Sequence, residues 1–420
     1  MSVSTEQRRQ VVVVGAGHAG GTLAGVLRQQ GFDGTVIVVG AESDPPYHRP
    51  PLSKKFAAED EPQWLRPLEF YSDNNIELRL SETVVRIDRA GHVVHTAGGD
   101  RIDYDTLVIA TGASARSLPI PGNDLRGVVS LRTLGEAQEL RDGVVRGASI
   151  AIVGGGYIGL EVAAAARAKG CDVVILERED RVLARVASSE FSSIVTEFHR
   201  TRGTRILTEV TVSEIRGKAD GSVESLVLAD GTEIGCDLVL VGVGAIPNDK
   251  LARDAGIACE SGITVDGASR TSDPFVLAIG DVTHRIHDRV DGRVRLESIP
   301  SAVEQARQAA AVIVGSDVLA HEVPWFWSDQ FDLKMKMAGI LTPGTEAVLR
   351  GDPSTEKFAL FHLEPDGTLD SLETVNAAAE FMAGKRYLAN RTRLDRQKLV
   401  DLGTSMRDVT LAESATVVST

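Results

Sequence analysis

Runs of consecutive apolar residues, not alternation, mark most strands in the first two-thirds of the chain. Residues 11–14 and 150–153 are unbroken apolar quartets, the pattern of a parallel strand buried on both faces. Each leads into a glycine cluster and then into apolar positions at helical spacing. The second of these helices is expected from about Tyr157 to Lys169, with Gly170 as its cap. Residues 35–39 and 173–176 read as the next strand of each unit. Residues 104–110, 237–241 and 275–279 read as further buried strands, and 301–314 as a helix with Val303, Ala306 and Ala310 on one face. Residues 76–80, 83–88 and 92–96 alternate instead, which suggests an antiparallel meander, and 214–228 suggests a hairpin turning at Asp220-Gly221. An aromatic cluster fills 324–331. Strand patterns follow at 346–350, 358–363 and 371–375, then helical stretches at 377–388 and 391–401 and a frayed tail after Asp408. The whole is α/β: two strand–glycine–helix units, then a separate α+β domain.

The glycine clusters are Gly15-Ala16-Gly17-His18-Ala19-Gly20 and Gly154-Gly155-Gly156-Tyr157-Ile158-Gly159, both G-x-G-x-x-G between strand and helix. In such a loop the first glycine makes the tight turn. The second lets backbone approach a pyrophosphate, and the third lets helix pack on strand. The helix N-terminus adds unpaired N–H groups and partial positive charge. Two such Rossmann-like units imply two dinucleotides, most simply FAD and NAD(P)H. The acid expected at the adenosine ribose is Glu42 in the first unit, slightly late behind Gly40-Ala41, and Glu177 in the second. Glu177 would accept both ribose hydroxyls and repel a 2′-phosphate, which favours NADH; Arg178 and Arg181 pull the other way.

Composition narrows the field. At 420 residues there is room for two or three domains, and the 41 glycines suit several nucleotide turns. A net charge of −14 argues against non-specific nucleic-acid binding. No apolar run reaches membrane-span length and residues 1–10 carry no signal core, so a cytoplasmic protein is expected. Cys171, Cys236 and Cys259 stand alone, with no C-x-x-C and no metal-ligand spacing. A disulfide or peroxide reductase needs a positioned cysteine beside its flavin, and none is visible.

Three further features have two readings each. The loop 44–54 holds four prolines with Arg49 and Lys54, either a plain connection or a stiff carrier of cations. Glu161, seven residues beyond Gly154 and expected on the first helical turn, is either dipole-stabilised or placed at a nicotinamide. Asp281, after Gly280, is either a helix cap or a ligand for sugar hydroxyls.

Several segments are more specific. They are Arg49-Pro50-Pro51-Leu52-Ser53-Lys54, Leu131-Arg132-Thr133-Leu134, Val153-Gly154-Gly155-Gly156-Tyr157-Ile158-Gly159-Leu160-Glu161, Ala278-Ile279-Gly280-Asp281, Glu297-Ser298-Ile299-Pro300 and Pro324-Trp325-Phe326-Trp327-Ser328-Asp329-Gln330. In this order, with the first glycine loop, the chain resembles the NADH-dependent ferredoxin reductases of bacterial oxygenase systems, of the putidaredoxin reductase and biphenyl dioxygenase reductase type.

The resemblance implies a discontinuous FAD domain (1–115 and 247–324), an NADH domain (116–246) and a C-terminal interface domain (325–420). It implies FAD on Gly15, Gly17 and Ala19, with Lys54, Arg132, Asp281 and Ile299 lining the site and Arg49 in the same loop. It implies NADH on Gly155, Gly156 and Ile158, with Glu177 at the ribose. Lys54 and Glu161 match the pair near flavin and nicotinamide, and Tyr157 the aromatic that covers the flavin face. Trp325 and Trp327 match the segment near the flavin edge and the protein partner. The acceptor implied is a small acidic 2Fe-2S ferredoxin feeding a haem-thiolate monooxygenase or Rieske dioxygenase. Two stretches could offer it a basic face: 284–295 (Arg285, Arg289, Arg293, Arg295) and 385–398 (Lys385, Arg386, Arg391, Arg393, Arg396, Lys398). A rubredoxin or monodehydroascorbate reductase shares the scaffold. A non-enzymatic NADH-binding sensor resembling apoptosis-inducing factor is the alternative from another class.

Overall fold

The computed structural model describes residues 9–54, 62–290 and 292–411. Most of the polar N-terminus and the tail 412–420 lie outside these residues.

Two parallel five-stranded sheets dominate. The first runs in the order Val276–Ala278, Thr106–Ile109, Gln10–Val14, Thr35–Val39, Ile76–Arg79. The second runs Arg205–Leu207, Asp172–Leu176, Ser149–Val153, Leu238–Val241, Val128–Val129. In both, the strand that feeds the glycine loop lies in the middle, buried on both faces. The loops therefore open at the carboxyl end of the sheet, where such folds bind nucleotides.

Each sheet is covered on both sides. On the first, the glycine helix His18–Gln29 packs beside Ile299–Val314, whose small face holds Ala302, Ala306, Ala309 and Ala310. The second helix starts two residues earlier than its periodicity suggests, because Ser298 caps it and Pro300 fits its first turn. The opposite face carries the antiparallel trio Val84–Asp88, Val93–Thr96 and Arg101–Asp103. The expected meander is thus corrected at one end. Ile76–Arg79 belongs to the parallel sheet, paired with Thr35–Val39. As an edge strand it buries Ile76 fully and leaves its other residues more open, so it mimics a half-exposed antiparallel strand.

The hairpin Val212–Gly217 and Val223–Leu228 covers the second sheet. The chain enters and leaves this region through a two-stranded ribbon, Ala113–Ala115 against Ala245–Pro247.

The C-terminal region is one antiparallel sheet in the order Trp325–Gln330, Leu333–Gly339, Leu369–Val375, Lys357–Leu363, Glu346–Asp352. Helix Ala378–Ala389 packs one face through Phe381 and Leu388. The other face, with Leu333, Met335 and Phe358, packs on Phe191 and Phe198 of helix Ser189–Thr201. Only Arg396–Val400 of the stretch 391–401 is helical. Past Asp408 the chain is not frayed through Leu411: Val409 is fully buried and Thr410 bridges Leu394. Among the described residues no helix is long and apolar enough to cross a membrane.

Candidate functional site

The two glycine loops share a geometry that explains each glycine separately. Gly15 and Gly154 have φ of 120° and 110°, a region L side chains avoid. A Cβ on Gly15 would lie 2.2 Å from the Ala110 carbonyl oxygen, and one on Gly154 2.4 Å from that of Gly242. The third glycines press helix on turn: a Cβ on Gly20 would meet the Gly15 oxygen at 2.0 Å, and one on Gly159 the Gly154 oxygen at 2.4 Å. The middle glycines differ. Nothing lies within 4 Å of a Cβ on Gly156, and only Arg49 Nη2, at 3.8 Å, lies near one on Gly17. No protein atom demands glycine there. The space is open to a bound group, and a pyrophosphate on the helix N-terminus would fit it.

Both loops open onto one cleft of about 2210 Å³. Gly15, Gly17, Ala19, Glu42, Arg49, Lys54, Arg132, Gly280, Asp281 and Ile299 line it from the first unit and its connections. Gly154, Gly155, Gly156, Tyr157, Ile158, Glu161 and Glu177 line it from the second, and Trp325 and Trp327 from the C-terminal sheet. Gly159 stays outside, behind Gly154. The length of the cleft and its two open glycines suit two dinucleotides in one chain.

Most charges in the first half of the cleft are paired. Arg49 donates to Glu42 at 2.6 Å, to the Tyr47 hydroxyl at 2.7 Å and to the Arg132 carbonyl at 2.5 Å. The Tyr47 hydroxyl donates in turn to Glu42 at 2.7 Å. Arg132 pairs with Asp281 at 2.7 Å. Glu177 accepts from the backbone N–H of Gly155 at 2.6 Å and of Glu179 at 2.9 Å, and makes no ion pair among the described residues. Arg178 pairs with Glu179 and is only weakly attracted to Glu177, and Arg181 caps the carbonyls of Ala184, Ala187 and Ser188.

Lys54 and Glu161 meet in an ion pair at the junction of all three parts of the molecule. Glu161 sits at the start of the second turn of helix Tyr157–Ala168, not on the first. Its carboxylate accepts from Lys54, Ser53 and, at 2.6 Å, Ser328. Glu161 is 6 % exposed, so stripping either charge of its partner would cost about 3–5 kcal/mol. Tyr157 lies edge-on to Phe326, ring centroids 4.7 Å apart. Burial, helped by the charges of Glu373 and Glu161, pushes its phenol well above the ordinary range, and its hydroxyl has no hydrogen-bond partner among the described residues. His18, at the start of the first glycine helix, is held neutral: burial, with His48 beside it, lowers its pKa to about 4.

Sequence reasoning missed Ser53, Ser328 and His362, which stand in or beside the cleft. The motif carrying Ser328 was visible, but its neighbours on the strand hid which face matters. The two basic stretches fare differently. In 284–295, Arg285 is fully buried against Glu304 and Gln308, Arg289 and Arg293 are half-buried and bond backbone carbonyls, and Arg295 pairs with Glu297. In 385–398, Arg391, Arg393 and Arg396 pair with Glu364, Asp366 and Glu346, and Lys385 lies over the Trp325 ring at 4.9 Å, close to the cleft. Cys171 and Cys236 are buried, Cys259 is partly so, and none lines the cleft. Burial raises all three thiols, Cys236 to about 12, the behaviour of inert sulfur.

Comparison with known proteins agrees with this geometry. The pyridine nucleotide-disulphide oxidoreductase family model matches residues 9–306, and the reductase C-terminal model matches 325–410. A probable ferredoxin reductase, CtmF, of Castellaniella defragrans is 45% identical over 93% of this chain and 96% of its own. The putidaredoxin reductase in its covalent complex with putidaredoxin superposes with a TM-score of 0.92 at 35% identity, covering 96% and 98% of the two chains. The ferredoxin reductase for the CYP199A2 system of Rhodopseudomonas palustris gives 0.91 at 38% identity, covering 96% and 100%. The chain belongs to the pyridine nucleotide-disulphide oxidoreductase family and, within it, to the ferredoxin reductases.

Proposed function

We propose that this protein carries electrons from NADH through a resident FAD to a small 2Fe-2S ferredoxin that serves an oxygenase. The observation that carries the reading is the pair of open middle glycines, Gly17 and Gly156, facing one cleft with Lys54 and Glu161 between them. The first loop, with Ala19, Arg49, Arg132, Gly280, Asp281 and Ile299, would hold FAD; the second, with Ile158 and Glu177, would hold NADH. When bound, FAD accepts an electron pair from NADH and releases it singly, a split NADH cannot make alone. The domain division 1–115 with 247–324, 116–246, and 325–420 goes with this reading, and the ribbon 113–115 with 245–247 supports it.

The chain's own residues bind, orient and exclude water. The carboxylate of Glu177, held by backbone N–H groups and not by an ion pair, suits a ribose with both hydroxyls free, which favours NADH over NADPH. The N-terminus of helix Ile299–Val314 would add positive potential to the first half of the cleft, where a reduced flavin would carry negative charge, while Arg132, paired with Asp281, would position donors there. Lys54 and Glu161, nearly dry, fix each other's position where the two halves meet. Tyr157 closes the second half from the side of Phe326. Trp325, Trp327 and Lys385 offer the acidic partner an aromatic and basic edge. The protein is read as cytoplasmic, where NADH is supplied.

The test is NADH-driven cytochrome c reduction with a 2Fe-2S ferredoxin added. Reduction should depend on ferredoxin and slow steeply with salt, while NADH–ferricyanide activity barely changes. Cytochrome c reduction indifferent to ferredoxin would overturn the acceptor.

A further inference from the structure

Strand Trp325–Gln330 alternates its side chains between two faces. Trp325 packs on Phe381 and Trp327. Phe326, Ser328 and Gln330 point the other way, into the nucleotide units. Ser328 and Gln330 are fully buried, as is His199 of helix Ser189–Thr201. Together they make a chain of hydrogen bonds that ends on Glu161. Ser328 Oγ lies 2.6 Å from Glu161 Oε1, Gln330 Nε2 3.1 Å from Ser328 Oγ, and His199 Nε2 2.9 Å from Gln330 Oε1.

The chemistry of the groups sets the direction. Glu161, as the carboxylate partner of Lys54, only accepts, so Ser328 donates to it. The Ser328 oxygen is then left to accept, which places the Gln330 amide nitrogen against it and the Gln330 oxygen against His199. That oxygen also only accepts, so His199 carries its hydrogen on Nε2. Its Nδ1 makes no hydrogen bond among the described residues, and burial lowers the pKa of the ring to about 4, so it stays neutral. Every donor points toward Glu161, and aligned hydrogen bonds polarise one another. An amide cannot pass protons along, so the row positions charge and does not conduct it.

We propose that Ser328, Gln330 and His199 are positioning residues that hold the Glu161 carboxylate against Lys54, so that the C-terminal strand sets reactivity in the nucleotide cleft. The proposal rests on the reading that this pair stands where NADH delivers its electrons.

The test uses the holoenzyme and rapid-reaction reduction of its flavin by saturating NADH. Ser328→Ala lowers the limiting rate about tenfold, the loss of one charge-assisted hydrogen bond. The NADH dissociation constant stays within twofold, and Ser328→Thr restores the rate. Gln330→Leu lowers it about threefold, and Ser328→Ala with Gln330→Leu is no slower than Ser328→Ala alone, because Gln330 acts through Ser328. In a Glu161→Gln background Ser328→Ala has no further effect. Independently of turnover, nitrogen-15 NMR finds His199 as the Nε2–H tautomer, with that proton slow to exchange in the wild type and fast in Gln330→Leu. Additive losses, a full Ser328→Ala effect without Glu161, or an Nδ1–H tautomer would overturn the chain. A Glu161→Gln variant reduced as fast as wild type would instead sink the reading of the ion pair, and the chain with it.

Discussion

The two glycine units have nearly the same backbone and differently furnished mouths. In both, the first glycine turns and the third packs, each against a carbonyl oxygen within 2.4 Å of where a Cβ would stand. Around the first loop the flanking side chains are already engaged with one another. Pro46 of the proline loop lies against Gly21, His48 lies beside His18, and Glu42 is neutralised by Arg49. Around the second, Ile158 is 45% exposed and Glu177 is held by backbone N–H groups alone. A walled site with compensated charges suits a cofactor that stays. An open one with an unpaired carboxylate suits a substrate that comes and goes. The motif gives nucleotide binding, and the surroundings give residence time.

The sharpest way to break this comparison is one substitution made twice. Gly17→Val and Gly156→Val each place carbon in open space at φ near −80°, so the fold should survive both. Gly17→Val should purify without flavin. Gly156→Val should keep its flavin and raise the KM for NADH at least about a hundredfold, since a branched side chain would fill the pyrophosphate position. Flavin content and steady-state kinetics separate the two, and loss of flavin from both would erase the distinction.

The acids should differ by a smaller factor. Glu177→Ala removes charge-assisted hydrogen bonds to ribose and should raise the KM for NADH about tenfold, with NADPH gaining relative to NADH. Glu42→Gln, whose carboxylate is taken up by Arg49 and Tyr47, should leave the KM for NADH within twofold. Kinetics with both nucleotides check the pair.

Trp327→Ala should slow ferredoxin reduction several-fold and leave ferricyanide reduction unchanged, because the edge it forms lies outside both glycine loops. Equal slowing with both acceptors would place Trp327 in the NADH half-reaction.

The smallest effect concerns acid. His18 and His199 are held neutral with pKa values lowered to about 4, against about 6.5 in the unfolded chain. Their contribution is whole above about pH 6.5 and fades as pH falls through 4, since the unfolded chain takes up protons first. His18→Leu should flatten the fall in unfolding free energy across that window by roughly 1 kcal/mol per pH unit. Denaturant midpoints at several pH values check it; an unchanged slope would mean His18 is not buried neutral.

Much of this was legible in the sequence because strand, glycine and helix repeat a local pattern that needs no tertiary knowledge. Both glycine helices, the central strands and the acids Glu42 and Glu177 could be named from it, while Lys54, Arg132, Ile299, Trp325 and Trp327 were implied by the family resemblance; all of these side chains line the cleft. What stayed hidden depends on neighbours. Ile76–Arg79 alternates because it is a sheet edge, so periodicity misassigned its partner. Trp325–Gln330 shows no alternation on a hydropathy scale, since its buried face holds Phe326, Ser328 and Gln330. The chain from His199 to Glu161 joins residues far apart in sequence, and no local rule connects them. Arg285 looked like surface charge and is buried by the carboxylate and amide of Glu304 and Gln308.

The central claim is that one chain keeps FAD in its first loop and receives NADH in its second. Anaerobic titration of the purified protein with NADH, followed by flavin absorbance, tests it most directly. One flavin per chain, bleached by one equivalent of NADH, is the predicted result. A chain that purifies without flavin, or that binds NADH while its flavin stays oxidised, would contradict it.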